Sequence, residues 1–184
     1  MTRDRWMGVA VFAGLVGLCV AGRVMPHESN FTPVAAAALF AGYYFSRRWV
    51  AAAVPVLGML IGDQIIGGYE WEVAAVIYAA FVLSTLLGRW MQRSGLNVWR
   101  VAGSSFVGAV AFYLLSNGAH WAFTEMYPHT LAGLIESYVA ALPFFRNTLT
   151  GDLVWSAGLF GAYGLAVNAI RQARPAANAS AALQ

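Results

Sequence analysis

The segment that decides the fold is Pro55-Val-Leu-Gly58-Met-Leu-Ile-Gly62-Asp63-Gln-Ile-Ile-Gly67. It closes an apolar run over residues 49–66 that is long enough to cross a bilayer as a helix. Gly58 and Gly62 are four residues apart, so they share one helix face and let a neighbouring backbone come close. Asp63 lies about 100° further round the helix. A carboxylate is costly in lipid, so Asp63 is predicted to face protein or a water-filled cavity.

The composition predicts a membrane protein with one domain. The 184 residues are 60% hydrophobic and only 10% charged, and the mean hydropathy is +0.62. A soluble protein would have to pack several long apolar runs into one small core, which this length does not favour. We therefore predict an all-α integral membrane protein, with a single transmembrane domain over residues 1–171 and a disordered cytoplasmic tail over residues 172–184.

The apolar runs predict six transmembrane helices, at residues 6–24, 33–45, 49–66, 73–87, 98–123 and 148–170. The second run is too short to cross a hydrocarbon core of about 30 Å on its own. Its outer end is therefore predicted to lie below the membrane surface and to form the floor of a cavity. A stretch over residues 131–142, ended by Pro143, is predicted as a short half-helix over or in the outer leaflet.

Charged residues divide between the two ends of the predicted helices. One end, with Asp4 as its only acid, collects Arg3, Arg5, Arg47, Arg48, Arg89, Arg93, Arg100, Arg171 and Arg174. The other end has only Arg23 and Arg146 beside seven acids, which are Glu28, Asp63, Glu70, Glu72, Glu125, Glu136 and Asp152. By the positive-inside rule, both termini are predicted to be cytoplasmic.

The Gly-Asp pair of the third predicted helix recurs at the start of the sixth. Pro55 precedes Asp63 by eight residues and Pro143 precedes Asp152 by nine, with glycine directly before each aspartate. Two such segments three helices apart fit a pseudo-repeat with a binding site where the halves meet. A chance match is the alternative interpretation.

These motifs resemble two groups of membrane proteins. Residues 55–63 are similar to the third-helix pattern P-x-x-G-x-x-x-G-D of the substrate-binding (S) components of energy-coupling-factor vitamin transporters. The chain also resembles an uncharacterised bacterial family of six-span proteins over most of residues 20–165, through Asn30-Phe31-Thr32-Pro33, Gly62-Asp63, Leu142-Pro143-Phe144-Phe145-Arg146-Asn147 and Gly151-Asp152.

The resemblance implies a multi-pass protein of the bacterial inner membrane, with an S-component-like fold, that captures a vitamin-like small molecule or cofactor precursor from the outer side for import. Import would follow when the protein topples against a coupling membrane subunit that an ATPase pair drives. That subunit would dock on a small-residue face of the first helix, at Ala10 and Gly14. A solitary transporter is a further possibility. Cobalamin, thiamine and a queuosine-type precursor remain open as substrates, and no resident cofactor is predicted.

The candidate ligand-binding residues are polar or aromatic and lie towards the outer side: Asn30, Asp63, Tyr69, Trp71, Asn117, His120, Arg146, Asn147 and Asp152. Asp63 and Asp152 would fix helix geometry or bond a polar group of the ligand. Arg146 would pair with Asp152 or hold a ligand carboxylate. The aromatic side chains of Tyr69 and Trp71 fit either a pocket wall or the aromatic belt of a membrane interface.

The same residues bear on several other functions. His27, His120 and His129 beside outer acids suggest transition-metal uptake as an alternative, although their spacing matches no strong ligand motif. The chain has no catalytic or ATP-binding motif, so we expect no enzyme. Its arginines alternate between loops and do not cluster, so we expect no nucleic-acid binding.

The alternative from another class is a non-transporting accessory or structural subunit of a larger membrane complex. Such a subunit would expose a small-residue face and would pair all its polar groups internally.

Overall fold

The computed structural model describes residues 2–181, with side chains described over residues 5–173. The described chain forms six helices: α1 (Thr2–Val24), α2 (Val34–Tyr44), α3 (Arg48–Ile66), α4 (Trp71–Ser94), α5 (Val98–Phe123) and α6 (Leu131–Ala181). Five of them, all except α2, are long and apolar enough to cross a membrane. The predicted all-helical architecture with a short second helix is confirmed.

The short helix α2 lies at the centre of the bundle. It contacts each of the other five helices, which surround it in the order α1, α3, α4, α5 and α6. Within the described residues, α1 and α6 do not contact each other. Every residue of α2 from Val34 to Gly42 is buried. The alanine run at residues 35–38 makes this possible, because small side chains let five neighbours approach one helix.

Two glycines fix the crossing of α2 and α4. A Cβ on Gly42 would lie 2.0 Å from the Thr85 carbonyl oxygen, and a Cβ on Gly88 would lie 2.0 Å from the Leu39 carbonyl oxygen. Each helix therefore places a glycine against the backbone of the other. The sequence predicted that the fourth helix ends before Gly88, and this is wrong. Gly88 lies inside α4 because it is a packing contact, and the helix continues to Ser94.

The predicted close approach at Gly58 and Gly62 is confirmed. A Cβ on Gly58 would lie 2.4 Å from Cys19 Cβ, and a Cβ on Gly62 would lie 2.7 Å from Arg23 Nε, both on α1. Cys19 and Arg23 are themselves four residues apart, so one face of α1 packs along one face of α3.

The predicted half-helix over residues 131–142 is wrong, because α6 runs without interruption from Leu131 to Ala181 with Pro143 inside it. A proline within a helix removes one backbone hydrogen bond but holds φ near the helical value. The apolar sequence on both sides therefore continues one helix through Pro143. The helix is assigned as far as Ala181, and residues 182–184 lie outside the described residues. The disordered tail over residues 172–184 stays a prediction.

The two ends of the bundle differ in charge. We call the end with Arg47, Arg48, Arg89, Arg93 and Arg100 the arginine-rich end, and the end with Glu28, Glu70, Glu72 and Glu125 the acidic end. At the arginine-rich end, Arg89 Nη1 donates to the Ser46 carbonyl oxygen at 3.0 Å and Gln92 Nε2 donates to the Tyr43 carbonyl oxygen at 2.7 Å. These bonds satisfy carbonyl groups at and just beyond the end of α2 that have no partner within the helix.

Candidate binding site

Two adjoining cavities open at the acidic end. The upper cavity has a volume of about 180 Å³ and the lower cavity about 50 Å³. They share lining residues from several elements, namely Asn30, Tyr69, Ile77, Phe112 and Thr148. The upper cavity reaches the surface, since its lining residues Tyr69 and Phe144 are 43% and 46% exposed.

One face of α5 forms much of the upper cavity wall. Phe112, Tyr113, Ser116, Asn117 and His120 line it, and their spacing follows the helical repeat. Asn117 Nδ2 donates to the Tyr113 carbonyl oxygen at 2.8 Å. His120 Nδ1 is buried and has no hydrogen-bond partner within the described part of the chain. This nitrogen is therefore free to bond a molecule in the cavity.

The lower cavity lies at the start of α2. Thr32 and Ala35 line it, together with Arg23 of α1 and Asp152 of α6. This agrees with the prediction that the outer end of the short second helix contributes to a cavity floor.

Asp63 has a full set of partners. Its carboxylate pairs with the guanidinium group of Arg23 and accepts a hydrogen bond of 2.5 Å from the Tyr78 hydroxyl. Both charged side chains are 9% exposed. Gly62 leaves the space that the Arg23 side chain occupies. Asp63 therefore joins α1, α3 and α4, and only Arg23 of this group reaches the lower cavity, with its Nε buried and unpartnered.

Asp152 lines the lower cavity, and within the described residues it has neither a salt bridge nor a hydroxyl donor like those of Asp63. The residue is 3% exposed, and its Oδ2 has no hydrogen-bond partner among the described side chains. An unsatisfied carboxyl oxygen at such a depth costs free energy unless another molecule bonds it.

Beneath Asp152 the bundle closes. Ser84, Ser104, Ser105 and Ser156 surround a gap with no room for a water molecule, and Ser105 Oγ donates to Ser156 Oγ at 3.0 Å. The two cavities therefore end at Asp152 and do not continue towards the arginine-rich end through this gap.

The loop between α1 and α2 is wedged between two helices. A Cβ on Gly22 of α1 would lie 2.2 Å from Pro33 Cδ, and a Cβ on Gly151 of α6 would lie 3.2 Å from Phe31 Cα. Asn30 has φ of 62°, in the left-handed region that asparagine adopts more readily than most residues. This backbone conformation holds Asn30 in the lining of both cavities.

Five of the nine sequence-predicted site residues line the cavities: Asn30, Tyr69, Asn117, His120 and Asp152. Trp71 is absent from both linings, and it is 76% exposed. Asn147 binds the first loop instead, because its Nδ2 donates to the Ser29 carbonyl oxygen at 3.1 Å. Asp63 is engaged by Arg23 and Tyr78.

The pairing of Arg146 with Asp152 is wrong. Arg146 is exposed, whereas Asp152 is buried. Both residues lie on the uninterrupted helix α6, where side chains six positions apart point in directions about 120° apart. The pairing would have required a break after Pro143, which the helix does not have.

The histidines do not converge on one another. His27 Nδ1 lies 2.7 Å from the Glu28 carbonyl oxygen, and His129 Nε2 lies 3.2 Å from the Thr124 carbonyl oxygen. Over residues 5–173, no three histidine, cysteine, aspartate or glutamate side chains come together as a metal site would need. The geometry gives no support to the transition-metal alternative.

Sequence reasoning did not select Arg23, Phe112, Tyr113 or Thr148 as site residues, yet all four line the cavities. A signal for two of them was present. Phe112 and Tyr113 precede the polar pair Ser116-Asn117 by four residues, which is the spacing of one helix face. Arg23 carried no such signal, because its position at the cavity follows from how α1 packs on α3.

The model of a family of unknown function, DUF6580, matches residues 3–176, and the chain therefore belongs to this family. No curated protein and no solved structure matches the chain.

Proposed function

We propose that this member of the DUF6580 family is an integral membrane protein that binds a small molecule in the two cavities at its acidic end. In this proposal it serves as the substrate-binding component of an importer, or as a solitary importer, and takes its ligand from the outer side of the bacterial inner membrane. The resemblance to the S components of energy-coupling-factor transporters supports the transport role.

Membrane insertion is supported by the five long apolar helices and by the charge difference between the two ends. The positive-inside rule puts the arginine-rich end in the cytoplasm. The cavities then open to the outside, where an imported ligand would arrive. The closed serine contact beneath Asp152 fits a protein that faces outward and is sealed below its site.

The observation that carries the proposal is a set of buried polar atoms without partners around one cavity system. Arg23 Nε, His120 Nδ1 and Asp152 Oδ2 are all buried and unpartnered in the described part of the chain, and all three residues line the cavities. Buried polar groups in folded proteins are normally hydrogen-bonded. A bound molecule with polar groups would satisfy these atoms.

The cavity volumes restrict the ligand. Together the two cavities offer roughly the space of a single ring with small substituents, since a cavity of about 150 Å³ accommodates benzene. A molecule as large as cobalamin does not fit within them. A compact cofactor precursor is therefore favoured over a complete large vitamin.

An exposed face of α1 supports a partner for import. Gly14 and Gly17 have open space where a Cβ would stand, and Ala10 and Ala13 beside them are exposed. Small residues on an exposed helix face allow a second membrane helix to pack closely. A coupling membrane subunit with its ATPase pair would dock here.

The accessory-subunit alternative shares this exposed face but differs at the cavity. It requires polar groups that are all paired internally, and the three unpartnered atoms do not meet that requirement.

The proposal is tested by mass spectrometry of the detergent-purified protein, first in the native state and then after denaturation. We expect a small molecule to co-purify with the protein and to be released on unfolding. Ser116→Phe should abolish this ligand, because Ser116 is 7% exposed and lines the upper cavity. Leu115→Phe is the matched control, since Leu115 is the next residue on α5, is 41% exposed and lies outside the cavity lining.

A protein that carries no small molecule, and whose melting temperature does not respond to a panel of vitamins and their precursors, would contradict the proposal and favour the accessory subunit. Equal ligand retention in the two variants would show that the molecule binds elsewhere.

A further inference from the structure

The charged groups at the cavities are not balanced. Arg23 and Asp152 are the charged side chains that line the two cavities in the part of the chain with described side chains. The charge of Arg23 is already matched by Asp63. Within residues 5–173 no salt bridge joins Asp152 to a cationic side chain, although Arg23 lines the same lower cavity, and Asp152 is 3% exposed. When Asp152 is ionised, the group as a whole carries an excess of one negative charge.

The walls next to Asp152 are aromatic. Phe81 and Phe112 line the lower cavity and stack on each other, with ring centroids 5.2 Å apart. Tyr69 lines both cavities and contacts His120 edge-on, with centroids 6.2 Å apart. Aromatic faces attract cations, more strongly when water is excluded, and they pack well against flat rings. These surroundings disfavour an anion and favour a flat cation.

The volumes of the two cavities limit the size of each part of the ligand. The lower cavity, at about 50 Å³, admits one small group, whereas the upper cavity, at about 180 Å³, admits a ring. A ligand that fills both would therefore place its ring above and its small group next to Asp152.

We propose that the ligand is a flat single-ring compound with a cationic nitrogen group, and that this nitrogen binds the carboxylate of Asp152 at the base of the lower cavity. This inference rests on the proposed function and adds the chemical class of the ligand to it. The ring lies in the upper cavity, against Phe112 and Tyr69. Arg23 adds no net charge for the ligand to match, because its guanidinium group remains paired with Asp63.

Three probes of one shape separate charge from size: benzamidine, which is a cation at neutral pH, benzamide, which is neutral, and benzoate, which is an anion. Their affinities for the detergent-purified full-length protein are measured by isothermal titration calorimetry. We expect benzamidine to bind at least tenfold more tightly than benzamide, and benzoate to show no binding. The reason is that one charged contact in a buried site separates the first two probes, and repulsion from Asp152 excludes the third.

Asp152→Asn should reduce the affinity for benzamidine to that for benzamide. Glu125→Gln removes an exposed acid at the same end of the bundle and should leave all three affinities unchanged. If Asp152→Asn does not fold, as judged by gel filtration and melting temperature, Asp152→Ser provides the same test with a smaller side chain. The ranking of the three probe affinities in the wild-type protein tests the ligand class even if neither variant folds.

Equal affinities for the three probes would overturn the proposed ligand class, as would a preference for benzamidine that survives both Asp152 variants. Both results would leave ligand binding by the cavity intact. Absence of binding by all three probes would also overturn the ligand class. The released molecule in the mass spectrum would then still decide the proposed function independently.

Discussion

Asp63 and Asp152 each follow a glycine on an apolar helix, and in both cases that glycine admits another segment of the chain. Gly62 leaves room for the side chain of Arg23, whereas Gly151 packs against Phe31. The segment that packs against each glycine determines whether the adjacent aspartate has a charged partner. Beside an arginine it is a structural ion pair, and beside a phenylalanine it remains an unpaired carboxyl group in a cavity wall.

This difference predicts that replacement of aspartate by asparagine affects stability differently at the two positions. Asp63→Asn should lower the free energy of unfolding by about 3 kcal/mol, because it leaves the charge of Arg23 buried without a partner. Asp152→Asn should leave stability unchanged or raise it by about 1 kcal/mol, because it removes an unsatisfied acid. Denaturant titration of the ligand-free proteins in detergent measures both. Similar losses in the two variants would contradict the assignment of separate roles.

Substitutions of Asn30 can distinguish the effect of its backbone conformation on stability from the effect of its side chain on ligand binding. Asn30→Gly should keep the melting temperature near the wild-type value, because glycine adopts a φ of 62° without strain. Its ligand affinity should nevertheless fall, since Asn30 lines both cavities and the substitution removes its amide group. Asn30→Val should cost about 1–2 kcal/mol of stability, because a branched residue is strained in this region.

Thermal unfolding and ligand titration of both Asn30 variants give the two quantities. Unchanged ligand affinity in Asn30→Gly would show that Asn30 serves the loop conformation alone.

At this scale the sequence identified polar residues near the acidic end, but it did not identify their partners. Asn117 and His120 were predictable because they are polar residues near the outer end of an apolar helix. The pair of Arg23 with Asp63 was not, because it depends on the rotation of α1 relative to α3, and hydrophobic periodicity around two apolar helices leaves that rotation undetermined.

At the scale of the helices, glycines at helix crossings determine how closely two helices pack. Gly88→Ala should destabilise the protein by about 3 kcal/mol or more, because the new methyl group would lie 2.0 Å from the carbonyl oxygen of Leu39. Gly158→Ala is the control within α6, since nothing lies within 4 Å of the position of its added Cβ. Its stability should be unchanged or slightly raised. The melting temperatures of the two variants provide the comparison, and a tolerated Gly88→Ala would contradict the described crossing of α2 and α4.

The helices themselves were mostly predictable from length and hydropathy, including the short α2. Two boundaries were not, and both depend on a residue that usually ends helices. Gly88 stays inside α4 because α2 packs against it, and Pro143 stays inside α6 because apolar sequence continues on both sides. Tertiary packing overrides local propensity at these positions.

The two ends of the whole molecule differ in charge, and this difference predicts its orientation in the membrane. The arginine-rich end is proposed to be cytoplasmic, and the acidic end, with the cavities, to face outward. Cys19 is fully buried, so the wild-type chain offers a low background for cysteine labelling.

Glu125→Cys and Arg93→Cys place exposed cysteines at the two ends. A membrane-impermeant maleimide applied to intact cells should label Glu125→Cys strongly. Arg93→Cys should react only after the cells are lysed. Labelling of Arg93→Cys in intact cells would contradict this orientation. It would mean that the arginine-rich end faces outward and that the cavities open to the cytoplasm.

At the scale of the molecule, the alternation of arginines predicted which ends of the helices lie together. It could not predict that α2 occupies the centre, with the other helices around it. That arrangement depends on Gly42 and Gly88 fitting the backbones of two crossing helices, and it creates the space above the start of α2 where the cavities lie.

The measurement that tests the central claim most directly is an experimental structure of the protein purified in mild detergent from its native membrane. The account predicts density for one single-ring molecule in the upper cavity, with a polar group within hydrogen-bond distance of Asp152. Only ordered water in both cavities, or a collapsed site in which Asp152, His120 and Arg23 Nε find partners within the chain, would contradict the claim that this protein is built to bind a small molecule.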